Sequence, residues 1–177
     1  MNQNNLSQTA WVGEAMQRFE GPLLRYAASV CGDAELARDV VQDAFIKLCE
    51  ADRTKIGERL APWLYTVVRN RAINVRRKEA RMAPLYEGQA EALANGQDGP
   101  GEVAQKKEAH RLVSGALRQL PGNQQEACRL KFQNGLTYRE ISEIMGVSLG
   151  TVSNLIAQAL DAVRLELQAK NGLAQEG

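Results

Sequence analysis

Residues 137–156, TYREISEIMGVSLGTVSNLI, read as a helix, a three-residue turn and a second helix, the pattern of a helix-turn-helix. Ile141, Ile144 and Met145 share one face of the first helix. Gly146 supplies the positive φ that ends it, and Val147 is expected to drop into the core at the turn. Ser148 caps the second helix, in which Val152, Leu155, Ile156, Ala159, Leu160, Val163 and Leu167 recur at three- and four-residue spacing as one apolar stripe. The other face carries Thr151, Ser153, Asn154 and Gln158. Short hydrogen-bonding groups of this kind suit base edges and phosphates in a major groove. The same residues also fit an ordinary helical hairpin.

Working outward, Met82–Gln105 (MAPLYEGQAEALANGQDGPGEVAQ) contains two prolines, four glycines and no useful apolar stripe, and reads as a flexible linker. It separates two helical patterns at 10–81 and 106–170. A flexible stretch of that length has a typical end separation of roughly 25–30 Å, so the two domains can engage sites far apart. Aromatic residues make up only 5% of the chain and no alternating run of β-branched residues argues for a sheet. The expected fold class is all-α, with two small helical domains and the helix-turn-helix in the second.

The 177 residues include no apolar run of about 18 and no signal-peptide start, so a cytoplasmic protein without membrane insertion is expected. Cys31, Cys49 and Cys128 are widely spaced in helical patterns and are expected to be reduced and buried. With one histidine and no Cys/His cluster, neither a metal site nor another cofactor is expected. Paired catalytic carboxylates, a glycine-rich phosphate loop and a nucleophile motif are missing, which argues against an enzyme.

In the first domain, Phe19–Val30 reads as a helix ended by Gly32. Asp33 caps the next, which runs to about Glu50 with Leu36, Val40, Ala44 and Leu48 inward. Another face of this helix carries Asp39, Gln42, Asp43 and Ile46. It is either plain solubilising surface or a docking surface for a basic partner helix. Pro62 is expected at the first position of a third helix, whose outward side holds Arg69, Asn70, Ile73, Asn74, Arg76 and Arg77. Net charge is only +1, yet residues 69–81 hold six basic residues against the single acid Glu79. Alone, such a run is often a solvated helix end; beside two asparagines it fits base and phosphate contact.

The runs DVVQDAFIKL (39–48), APWLYTVVRNRAINVRRK (61–78) and QLPGNQQEACRLKFQNGLTYREISEIMGVSLGTVSNLIAQAL (119–160) together resemble bacterial RNA polymerase sigma factors of the extracytoplasmic-function (ECF) group. The resemblance implies that Asp39, Gln42, Asp43, Phe45, Ile46 and Lys47 bind core RNA polymerase. It implies that Trp63, Arg69, Asn70, Asn74, Arg76 and Arg77 face the minus-ten promoter element, with a base-capture loop at about 52–61 that contains Ile56 and Gly57. Arg139, Ser148, Gly150, Thr151, Ser153, Asn154 and Gln158 would read the minus-thirty-five element, and the helices before them would hold the polymerase flap. Promoter DNA, core polymerase and an anti-sigma factor are the implied partners, and no covalent chemistry is asked of the chain.

Ser153, Leu155, Gln158 and Leu160 stand where relatives often carry Lys or Arg, which weakens phosphate binding by this helix. No long extension follows Leu167, so a third regulatory domain is not expected. A helical adaptor that binds only proteins would fit the neutral recognition helix but not the basic run. A ligand-sensing repressor would need a polar pocket that residues 10–81 do not suggest.

Overall fold

The computed structural model describes residues 3–82 and 113–173, which divide into two units within Met1–Ala94 and Asn95–Gly177. All regular structure among the described residues is helical. The expected linker beyond Met82, and residues 106–112 of the second domain, lie outside the described residues.

In the first unit, α1 spans Gln3–Cys31, α2 Ala34–Glu50, α3 Arg53–Ile56 and α4 Leu60–Met82, with a tight turn over Gly57–Arg59 before α4. The three long helices pack mutually. Leu23 and Ala27 of α1, Val40, Ala44 and Leu48 of α2, and Leu64, Val68 and Ala72 of α4 are wholly buried. Each burial of a large aliphatic side chain contributes on the order of 2 kcal/mol. Tyr26 and Tyr65 meet edge to face at 5.2 Å between α1 and α4.

Helix α1 starts well before the expected Phe19. Trp11, Ala15, Phe19 and Leu23 recur every four residues and are all buried, so the inward stripe extends two turns earlier than the sequence reading placed it. The Gln8 side-chain amide anchors this early part, donating to the carbonyls of Leu48 (3.3 Å) and Ala51 (3.1 Å) at the end of α2. Asp33 caps α2 as expected, accepting from the Leu36 amide at 2.9 Å. Leu36 itself is only half-buried, and Ala37, Val41 and Phe45 complete the buried stripe. Pro62 stands at the third position of α4 rather than the first, still within the turn whose amides have no helical acceptor.

The second unit contains α5, described over 113–118, α6 (Gly122–Cys128), α7 (Tyr138–Met145) and α8 (Leu149–Leu173), with a wide π-type turn at Arg129–Gln133. Helix α8 packs against α6 and α7. Ala127, Leu130, Ile141, Ile144, Val152, Ile156 and Ala159 form the interior. The π turn is closed by Asn134 N–H to the Arg129 carbonyl (3.1 Å) and Leu136 N–H to that of Leu130 (3.1 Å). It keeps Leu130 inside and leaves Phe132 60% exposed. Leu160 departs from the expected stripe and is exposed, because the stripe continues from Ala159 toward Val163 and Leu160 falls one residue outside it.

Candidate functional site

The helix-turn-helix is locked by local bonds. Thr137 and Glu140 form a reciprocal capping box, with the Thr137 amide donating to Glu140 Oε2 at 2.7 Å and the Glu140 amide to Thr137 Oγ1 at 3.3 Å. Gly146 takes φ +68° and returns its N–H to the Ser142 carbonyl. The Ser142 hydroxyl donates to the Val147 carbonyl at 2.6 Å, which holds the turn while Val147 stays half-buried rather than in the core. Ser148 accepts from the Thr151 amide at 3.1 Å and pairs with the Thr151 hydroxyl at 2.8 Å.

Arg139, Ser148, Gly150, Thr151, Ser153, Asn154 and Gln158 are all exposed, and those on α8 surround the leading turns of a helix whose other face is core. Two refinements follow. The hydroxyls of Ser148 and Thr151 are already engaged with each other, and Leu155, 8% exposed, belongs to the core and is no position for a phosphate-gripping cation. Sequence reasoning also missed Gln124 on α6, whose Nε2 donates to Gln158 Oε1 at 3.1 Å. No local signal could reveal a pair 34 residues apart.

On α4 the six expected residues divide. Trp63, Asn70 and Arg77 follow one another at seven-residue spacing, with Asn74 between the last two and Arg81 extending the line by one more turn. The asparagines and both arginines are exposed; Trp63 is half-buried. Arg69 and Arg76 lie on the other flank of the buried stripe, where Arg76 Nη1 reaches the Val30 carbonyl at 3.5 Å, near the end of α1. Guanidinium density is therefore shared between a polar reading line and the α1 terminus.

The segment expected as a capture loop is more ordered than a loop. Asp52 caps α3, accepting from the amide (2.9 Å) and hydroxyl (2.6 Å) of Thr54. Those hydrogen bonds, the hydroxyl's foremost, hold the Asp52 carboxyl below its ordinary pKa. Ile56 is buried and Gly57 turns the chain at φ +53°, ψ −132°, a combination that side-chain-bearing residues avoid.

On α2, Asp39, Gln42, Ile46 and Lys47 are exposed, with Ile46 at 50%. Phe45 must be removed from the expected docking set: it is 6% exposed and packs inward, since it adjoins Ala44 and Val41 on the buried side of the helix. Asp43 is half-buried and accepts from Arg71 Nε of α4 at 2.8 Å, so its charge is shared within the unit.

Residues 15–82 match the Sigma-70 region 2 family and residues 110–163 the Sigma-70, region 4 family. The ECF RNA polymerase sigma factor SigL of Mycobacterium tuberculosis (strain H37Rv) is 32% identical over 149 residues, covering 82% of each chain. This chain belongs to the ECF RNA polymerase sigma factors. It therefore binds RNA polymerase and directs promoter-specific initiation of transcription. The ECF sigma-E factor of Escherichia coli (strain K12) is 30% identical over 139 residues, covering 73% of each chain. In fold, this sigma factor is similar to RpoE of Bartonella quintana, solved in complex with the anti-sigma factor NepR (TM-score 0.66, 22% identity, 88% of this chain and 96% of that one). It is similar also to CnrH, solved with the cytosolic domain of CnrY (TM-score 0.57, 22% identity, 89% and 88%).

Among the described residues of the sigma factor, no group of three or more His, Cys, Asp or Glu is placed to hold a metal ion, and no helix is long and apolar enough to cross a membrane. Cys31 and Cys128 are buried, and burial pushes both thiols above their ordinary pKa. Cys49, expected to be buried, is exposed near the end of α2, where it lies beside rather than on the stripe that includes Leu48.

Proposed function

We propose that this sigma factor docks on core RNA polymerase through Asp39, Gln42, Ile46 and Lys47, and reads and melts the minus-ten element with α4. In this reading it touches the minus-thirty-five element with α7 and α8, and the two functional domains are residues 10–81 and 106–170, joined by 82–105. The observation that carries the reading is the line Trp63, Asn70, Asn74, Arg77 on α4. An aromatic ring, two amides and a guanidinium stand on one side of a helix whose other side holds the buried Leu64, Val68 and Ala72. Melting costs a few kcal/mol per unstacked base, and stacking plus amide contact on a separated strand offsets that cost. The factor supplies binding energy and no bond chemistry of its own.

An anti-sigma partner would hold the factor idle in the cytoplasm, a reading supported by the partners found with its fold neighbours RpoE and CnrH. The test is transcription from a promoter library with purified core polymerase, with permanganate footprinting of unpaired thymines on the selected promoter. Start-site-specific transcripts with reactive thymines around minus ten are expected. Promoter binding that leaves the duplex paired would overturn the melting role.

A further inference from the structure

The last carbonyls of a helix lack amide partners within it, and α2 ends at Glu50, one residue before the segment that opens with Asp52. The Gln8 side-chain nitrogen of α1 supplies donors there. It lies 3.3 Å from the Leu48 carbonyl oxygen, 3.4 Å from that of Cys49 and 3.1 Å from that of Ala51, so its two N–H groups are shared among three oxygens. Carbonyls only accept, so the amide has one orientation, nitrogen toward α2. Three residues further along α1, on the same side, the buried Trp11 ring lies under the Arg53 guanidinium, 5.7 Å from its centroid. Ala51 precedes the cap residue Asp52, and Arg53 is the first residue of α3. Two contacts from one face of α1 therefore hold the point where the chain leaves α2 and enters α3. Both Gln8 and Trp11 lie ahead of residues 15–82, the span that matches the region 2 family.

We propose that Gln8 and Trp11 are positioning residues for minus-ten recognition, holding the segment 52–59 in its capture shape before DNA arrives. The proposal rests on the reading that this unit melts the minus-ten element and that the segment takes up an unstacked base. Its place in the fold supports that reading. The segment runs directly into α4, whose Trp63 starts the reading line, and it carries Arg53, Lys55 and Arg59, all exposed. Its own anchorage in the core is small: of residues 52–59, Ile56 alone is buried. A segment that frays in the free protein must be ordered again whenever it captures a base, and that ordering opposes capture. Holding it in advance removes the opposition. Promoters with any other base at that position have no capture to lose, so the anchor acts on selectivity at one position.

Gln8→Met removes the donors at nearly the same length and keeps a residue well suited to a helix, whereas Gln8→Lys restores donors. Trp11→Leu removes the ring beneath Arg53, and Trp11→Phe keeps one. Gly57→Ala distorts the segment itself without touching α1, because a φ of +53° disfavours any side chain.

Two measurements on the full chain test the proposal. Limited digestion with trypsin, read by mass spectrometry, follows cleavage after Arg53, Lys55 and Arg59. The second combines the chain with core RNA polymerase and selects from promoter duplexes randomised over the minus-ten element, sequenced before and after selection. Gly57→Ala should flatten one base position, which identifies the captured base. Gln8→Met and Trp11→Leu should speed cleavage within the segment and lower the preference at that same position by roughly two- to tenfold, the range that one hydrogen bond spans. Gln8→Lys and Trp11→Phe should recover most of both. A merely structural role would instead lower binding to every promoter alike. Faster cleavage with an unchanged preference would overturn the proposal while leaving the capture reading in place, and so would unchanged cleavage. If Gly57→Ala flattens no position, the segment reads no base and the proposal falls with that reading.

Discussion

Arg71 Nε donates to Asp43 Oδ2 at 2.8 Å, tying the helix proposed to read the minus-ten element to the helix proposed to grip polymerase. Both side chains are about half exposed, so the pair contributes at most about 1 kcal/mol to stability. Reversing it with Asp43→Arg and Arg71→Asp together should restore whatever thermal stability either single change removes. Polymerase affinity separates the two roles of Asp43: recovery in the double variant marks an internal strut, and continued loss marks direct contact. Ile46→Ala, at a half-exposed position outside the core, should weaken polymerase binding by several-fold with melting temperature unchanged. Equal affinity in a fluorescence titration would exclude Ile46 from the interface.

Phe45 should behave differently from its neighbours on α2. Because it is buried, Phe45→Ala leaves a cavity and should cost roughly 3–5 kcal/mol in urea unfolding, a large fraction of the stability of a small domain. Any loss of polymerase binding should then track the unfolded fraction and recover on cooling toward the temperature of maximum stability. A stable, well-folded Phe45→Ala protein that fails to bind would return Phe45 to the contact surface.

The contrast between Phe45 and Ile46 marks how far the sequence was legible. Caps at Asp33, Thr137 and Ser148, and the left-handed turn at Gly146, involve residues within a few positions of one another, so local chemistry specifies them. Assignment to a helix face is less secure, because one residue turns the helix by about 100° and both outcomes can place an apolar side chain. That is why Phe45 proved buried and Leu160 exposed, while Leu155 lies in the core as its place in the stripe requires. Contacts at long separation carry no local trace. The Gln8 tie to the end of α2, Asp43 with Arg71 and Gln124 with Gln158 are all of this kind, and all three bear on residues proposed for function.

On α4, amides and guanidiniums should separate in their effects on promoter binding. Asn70→Ala and Asn74→Ala are expected to change base preference within the minus-ten element by about 1–3 kcal/mol at one position each. Arg77→Ala should weaken binding to all promoters alike and reduce the salt slope by about one counterion. Arg76→Ala should have the smaller effect on DNA, since its guanidinium reaches the Val30 carbonyl. Holoenzyme binding to a promoter set between about 50 and 200 mM salt measures all four. A base-specific effect of Arg77 with none from the asparagines would invert the assignment.

The three thiols should react at very different rates. Cys49 is exposed, whereas burial keeps Cys31 and Cys128 protonated past the ordinary thiol range, with nearby Asp33 adding to the effect at Cys31. At neutral pH, Ellman's reagent should titrate one thiol rapidly in the native protein and three in denaturant, and Cys49→Ser should abolish the rapid phase. The sign of the pH dependence follows from the raised values. Stability that comes from keeping these thiols neutral is complete below the ordinary thiol pKa and declines as pH rises through and beyond it. Two rapid equivalents from folded protein would show that one of the buried sites opens readily.

Gly146 offers the sharpest test of the helix-turn-helix itself. Its φ of +68° places it in the left-handed region, and a Cβ built there meets nothing within 4 Å, so substitution is opposed by backbone conformation and not by crowding. Gly146→Ala should cost roughly 1–2 kcal/mol, and Gly146→Asn less, because Asn enters this region more readily. Each variant should keep its polymerase affinity through α2 while transcription from minus-thirty-five-dependent promoters falls in the same order, Ala more than Asn. Differential scanning calorimetry supplies the stability order and in vitro transcription the functional one. If Ala and Asn were equally harmful, steric contact with bound DNA or polymerase at the turn, and not the geometry of the turn, would set the requirement for glycine.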